Sequence, residues 1–169
     1  MAKQVAVLKS KTHVEDMETG LSANYRNQIS KILTEILSDT YRLLIKSHIY
    51  HWNVVGPLFK PLHELTEEHY SSLFEAADII AERIRALGHL APVHLADASK
   101  FAPASASSQN PDAQTMLKDL IAHHEAAVQA MRKAAAKADE NDDFVTNDML
   151  TQRLSFHEKA LWMLRAHVA

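Results

Sequence analysis

HWNVVGPLFKPLHELTEEHYSSLFEAADIIAERIRALGH, residues 51–89, holds one helix end, a break and a complete second helix in a single run. Gly56 and Pro57 interrupt the helical pattern, and Pro61 suits the first turn of the second helix, where a backbone N–H has no intrahelical partner to lose. From Leu62 onward, Leu65, His69, Leu73, Ala76, Ile80, Ile84 and Leu87 return on one broad helical stripe, and Gly88 is placed to cap its end. A second face, roughly 120° around the helix, carries His63, Glu67, Tyr70, Phe74, Asp78, Ala81 and Glu82. Aromatics in line with carboxylates are unusual on a solvated face, so this one is expected to meet another surface.

Outward from this run the same period continues. Ile29, Ile32, Leu33, Ile36, Leu37, Leu43 and Leu44 predict a first helix over about residues 22–52, roughly 45 Å long at 1.5 Å per residue. Asn110 and Pro111 are expected to open a third helix near 112–139, the acidic run ADENDD ends it, and Thr146 is expected to cap a fourth that continues through Leu154, Leu161 and Leu164. Residues 88–112 are too many for a hairpin and are expected to cross the bundle, with room for one short helix. Three glycines in 169 residues argue against a sheet protein with many tight turns. The expected class is all-α, a ferritin-like four-helix bundle with a long crossover between helices 2 and 3. Residues 1–20 are polar without a stripe and read as a flexible tail, leaving 21–169 as one domain.

Composition narrows the chemistry. With no cysteine, any metal must be held by imidazole and carboxylate. A formal charge of −3 gives no overall basic signal for nucleic acid. No long apolar run and no signal-peptide pattern are present, so a soluble, cytoplasmic protein is expected.

His63/Glu67 and Asp78/Glu82 are both i, i+4 pairs, each able to aim two ligands at one ion from adjacent turns. Glu67 and Asp78 are separated by about 16 Å along the axis, far beyond ligand distances of about 2 Å, so one chain cannot join the pairs. Two copies of the helix packed antiparallel about a two-fold axis would bring His63 and Glu67 of one to Asp78 and Glu82 of the other, twice per dimer. His51, in line with Leu37 and Leu44 at seven-residue steps, faces the same region. Taken singly, each residue reads as an ordinary polar position. The chain also contains no Glu-x-x-His, the motif of the usual di-iron site inside a bundle.

HWNVVGPLF, LHELTEE and FEAADIIAERIRALGH, with EKALWMLRAHV near the C-terminus, resemble the Dps family of mini-ferritins in motif order and spacing, most closely over residues 48–89. The resemblance implies a hollow homododecamer that oxidises Fe(II), preferably with hydrogen peroxide rather than dioxygen, stores ferric mineral and protects DNA from oxidative damage. It implies ligands His51, His63 and Glu67 from one subunit and Asp78 and Glu82 from the two-fold mate, with Glu67 standing where many members have Asp. Trp52 matches a tryptophan beside the family site, as packing residue or electron donor. Iron is the expected metal and Zn(II) a competitor for the same donors. The acidic run with Asp143 and Asp148 would, in a three-fold assembly, ring an iron-uptake pore; otherwise it is a solvated helix end.

Other readings stay open on the residues. Lys3, Lys9 and Lys11 precede any acidic residue, so a nucleoid protein binding DNA through its tails is one alternative, twelve copies acting by avidity. A non-catalytic metal-binding helical oligomer is another. Among the remaining histidines, His48 lies one turn before His51, and His69 falls on the core stripe and is expected to be structural. His123, His124 and Glu125 are neighbours whose side chains diverge by about 100° and do not chelate one ion together.

Overall fold

The computed structural model describes residues 11–92 and 111–168, and the described residues form four long helices without a strand. They are α1 (Ala23–Asn53), α2 (Phe59–Ala86), α3 (Ala113–Asp139) and α4 (Phe144–Ala166). Most of residues 88–112, the expected crossover, and Lys3 and Lys9 lie outside the described residues.

Local chemistry sets each boundary. The Ser22 side chain accepts the Tyr25 N–H at 3.2 Å and starts α1. After Asn53, Gly56 turns the chain with φ +87, a conformation that costs glycine little. α2 begins at Phe59, two residues earlier than its proline suggests, so Pro61 still lies in the first turn and breaks no ladder bond. At its far end Gly88 has φ +88; the Gly88 N–H donates to Arg85 O at 2.9 Å and the His89 N–H to Ile84 O at 3.2 Å, the paired bonds of a Schellman cap. Asp112 caps α3 by accepting the Thr115 N–H at 2.7 Å. For α4 the expected cap was Thr146, but Asp143 takes that role and accepts the Thr146 N–H at 3.0 Å. An aspartate offers its carboxylate to the third-residue amide more readily than a residue already inside the first turn.

α1 and α2 form one antiparallel hairpin, α3 and α4 the other, and α1 lies against α3 between them. Lys46 and Tyr50 near the end of α1 bond Asp119 near the start of α3 at 2.7 and 2.6 Å, so α1 and α3 are antiparallel. Arg83 late in α2 bonds Asp143 and Thr146 at the start of α4, at 2.7 and 2.8 Å, making α2 and α4 antiparallel too. α2 and α3 therefore run the same way, the direction that distinguishes a crossover bundle from a simple up-and-down one.

The α2 stripe is the seam of the core: Leu62, Leu73, Ile80 and Ile84 are fully buried, each worth about 2 kcal/mol of apolar burial. The core falls into two clusters. One holds Ile29, Leu33, Ile80, Ile84, Met131 and Leu150; the other holds Leu43, Leu62, Leu73, Leu117, Leu120 and Leu164. Within the segment expected as a free tail, residues 13–16 are fastened to the body. The Glu15 N–H donates to Gly88 O at 2.8 Å, Glu15 pairs with Arg85 at 3.0 Å, and Asp16 pairs with Arg26 at 3.1 Å.

Candidate metal centre

The end of α1 and the start of α2 bring two imidazoles face to face. His51 and His63 stack with ring centroids 3.8 Å apart and planes 17° from parallel. His51 Nδ1 lies 2.9 Å from the His63 carbonyl oxygen, and His63 Nδ1 lies 2.8 Å from the His51 carbonyl oxygen. A carbonyl only accepts, so both Nδ1 atoms carry the hydrogen and both Nε2 atoms keep a free lone pair. Each histidine thus sets the tautomer of the other through its own backbone, the arrangement that metal-binding imidazoles need.

Glu67, one turn beyond His63, completes a trio whose donor atoms all lie within 4.8 Å of one another. His51 is buried, His63 half-buried and Glu67 exposed, so the trio opens outward. Among the described residues no other group of three such side chains draws its donor atoms this close. Asp78 and Glu82 are exposed further along α2 and do not join the trio.

Aromatic rings continue from the trio. The Tyr70 hydroxyl lies 3.5 Å from Glu67 Oε1, and desolvation together with the Glu67 charge raises the phenol above its ordinary pKa. Tyr70 packs edge-on to His51 at 5.3 Å and against His48 at 3.9 Å, and His48 stacks on Trp52 at 4.7 Å. Trp52 therefore reaches the trio through His48 and Tyr70. The i, i+4 spacing of His48 to Trp52 and i, i+3 spacing of Glu67 to Tyr70 carried that signal in the sequence. Trp52, Val55, Phe59, Phe74 and Ile79 are exposed apolar side chains at the end of α1, in the turn and along α2.

Elsewhere the structure redistributes the expected roles. Asp143 is 2 % exposed and its carboxylate accepts from Tyr25, Arg83 and Thr146, so within the subunit it acts as a buried structural acid. Asp148 is exposed and accepts from Gln152 at 2.8 Å, and Lys11 is exposed. Of the HHE string, His123 faces Asp119 at 3.6 Å, Glu125 pairs with Arg165, and His124 is fully buried beside His157, a residue that no pattern in the sequence singled out.

Residues 30–169 match the ferritin-like domain, which defines the class of four-helix bundle to which this architecture belongs. An uncharacterized low temperature-induced protein of Nostoc sp. is 37% identical over 151 residues, 88% of this chain and 84% of that one. The DNA protection during starvation protein of Helicobacter pylori is 30% identical over 140 residues, 82% of this chain and 97% of that one. Dps from Thermosynechococcus elongatus superposes with a TM-score of 0.80 at 31% identity, covering 86% of this chain and 93% of that one. The chain belongs to the Dps family. No described helix is long and apolar enough to cross a membrane.

Proposed function

We propose that this protein is a ferroxidase and iron store. It oxidises Fe(II), preferably with hydrogen peroxide, at sites shared by two subunits, and it holds the ferric product inside a dodecameric cage. The observation that carries the reading is the half-site: His51, His63 and Glu67 gather three donors at an open surface. An ion held there still needs oxygen ligands from outside the subunit. Asp78 and Glu82 of a two-fold mate supply them, and the exposed Phe74 and Ile79 are what two α2 helices would cover on pairing. Imidazole and carboxylate hold Fe(II) and bind Fe(III) more strongly, with Zn(II) as a competitor.

The stoichiometry comes from paired irons. Two Fe(II) each give one electron, the peroxide O–O bond breaks, and two protons convert the oxygens to two waters, so no hydroxyl radical leaves the site. Trp52, through His48 and Tyr70, is placed to supply an electron when only one iron is bound. Iron uptake falls to the exposed acids Asp139, Glu140, Asp142 and Asp148, without Asp143. Shielding DNA from iron and peroxide is a consequence of the same chemistry, and the family relatives named for DNA protection support that role.

The test is complementation between subunits. His63→Ala with Glu67→Ala in one variant, and Asp78→Ala with Glu82→Ala in another, should each abolish fast peroxide-driven oxidation. Unfolded, mixed equally and reassembled, about half the two-fold dimers are mixed and each regains one intact site, restoring about a quarter of all sites. Mixed cages no more active than the separate variants would sink the shared site.

A further inference from the structure

Imidazoles separate the two core clusters. On α3, His124 falls between Leu120 of one cluster and Ala127 of the other, and on α4, His157 falls between Leu150 and Leu164 in the same way. Both histidines are fully buried. His124 Nδ1 lies 2.9 Å from His157 Nδ1, so one neutral ring donates its single hydrogen to the lone pair of the other. Neither Nε2 has a hydrogen-bond partner.

We propose that His124 and His157 form an acid-sensitive latch on the α3–α4 hairpin. The closed pair has no favourable place for a further proton. On the accepting Nδ1 it would set two N–H groups against each other across 2.9 Å. On the Nε2 of the donating ring it would make a charged donor with no acceptor, in a site that water does not reach. A proton that charges either ring is satisfied only when the hairpin parts and water enters, so acid shifts the balance toward the open form.

The charges around the pair act in the same direction. Arg153, one turn before His157 on α4, and His69 on α2 bear on both rings, His123 on α3 bears on His124, and all oppose a further positive charge. Among the described residues no carboxylate bonds either ring. Glu125 and Glu158, next in sequence to the two histidines, are paired with Arg165 and Arg132, and Glu75 on α2 bears on Arg153. From α1, Lys46 is bonded to Asp119 and bears on His123. Burial, with the positive charges behind it, holds both imidazoles well below their usual range, whereas rings freed by opening titrate near about 6.5. The closed form therefore binds fewer protons than the open one. The contribution of the pair to closure is full above about pH 7 and is lost progressively as pH falls below about 6.5, a window that lies above the ordinary carboxylate range.

The test is amide hydrogen exchange on the assembled protein at pH 6 and pH 5, with each rate divided by that of an unstructured peptide at the same pH. His124→Asn with His157→Asn puts amides that do not titrate in place of the two rings. Over this one pH unit the opening constant at amides 121–127 and 154–160 should grow about fiftyfold more in the parent than in the double variant, since each ring charged on opening contributes up to about tenfold. A difference of less than about tenfold overturns the latch. Should the double variant fail to fold, the parent decides alone: a rise above about tenfold at these amides supports the latch, and a smaller one overturns it. No iron is added and neither substitution touches His51, His63 or Glu67, so the latch and the shared ferroxidase site can fail separately.

Discussion

Asp143 gathers Tyr25 Oη at 3.0 Å, Arg83 Nη2 at 2.7 Å, and the Thr146 amide and hydroxyl at 3.0 and 2.6 Å. Asp143→Ala removes the cap of α4 and strands the Arg83 charge, and it is expected to cost about 3 kcal/mol in denaturant unfolding. Burial acts to raise the Asp143 pKa, but the bonds from Thr146 and Arg83 outweigh it and hold the carboxyl below its ordinary value. Its folded pKa is thus depressed relative to the unfolded chain, so its contribution is full above about pH 4 and is lost as pH falls through the lower folded value. Parent and Asp143→Asn stabilities should therefore converge below about pH 4; a constant difference down to pH 2 would contradict this role. In the sequence Asp143 closes a run of acids that reads as a solvated loop, and nothing there announces that Tyr25 and Arg83 converge on it. The trio was easier to read, because His63 and Glu67 share a helix face and His51 lies just across a short turn.

Helical period made the α2 core stripe legible from Leu62 to Leu87, and every residue on it is buried. The meeting of His124 with His157 was not legible, because the register between two helices is set by packing all along their length and leaves no local pattern at either histidine. Gly88 shows how much one element end can carry. A Cβ there would lie 2.4 Å from Glu15 O, and φ +88 is itself unfavourable for any other residue. Gly88→Ala should cost about 2 kcal/mol and release residues 13–16 from the end of α2. Faster hydrogen exchange at the Glu15 amide, with the α3 amides unchanged, is the expected signature; an unaltered Glu15 amide would show that the strap does not depend on this close approach.

At the scale of the whole molecule, Asp78 and Glu82 stand exposed on the same helix as His63 and Glu67 but outside the trio, and under the proposed shared site a second copy supplies them. DNA contact through the first residues, the alternative reading of the sequence, would act in the same collective way. Deleting residues 2–12 removes Lys3, Lys9 and Lys11 while sparing the Glu15 and Asp16 contacts. It should abolish a weak, strongly salt-dependent retardation of DNA without changing particle mass. Retardation that survives the deletion would place DNA contact elsewhere on the cage. The reciprocal bonds between the His51 and His63 rings and backbones reach into kinetics. Two rings already locked in the metal-binding tautomer need no induction period, so the first irons delivered to a metal-free cage should be oxidised without a lag, and the early rate should be set by how fast iron arrives.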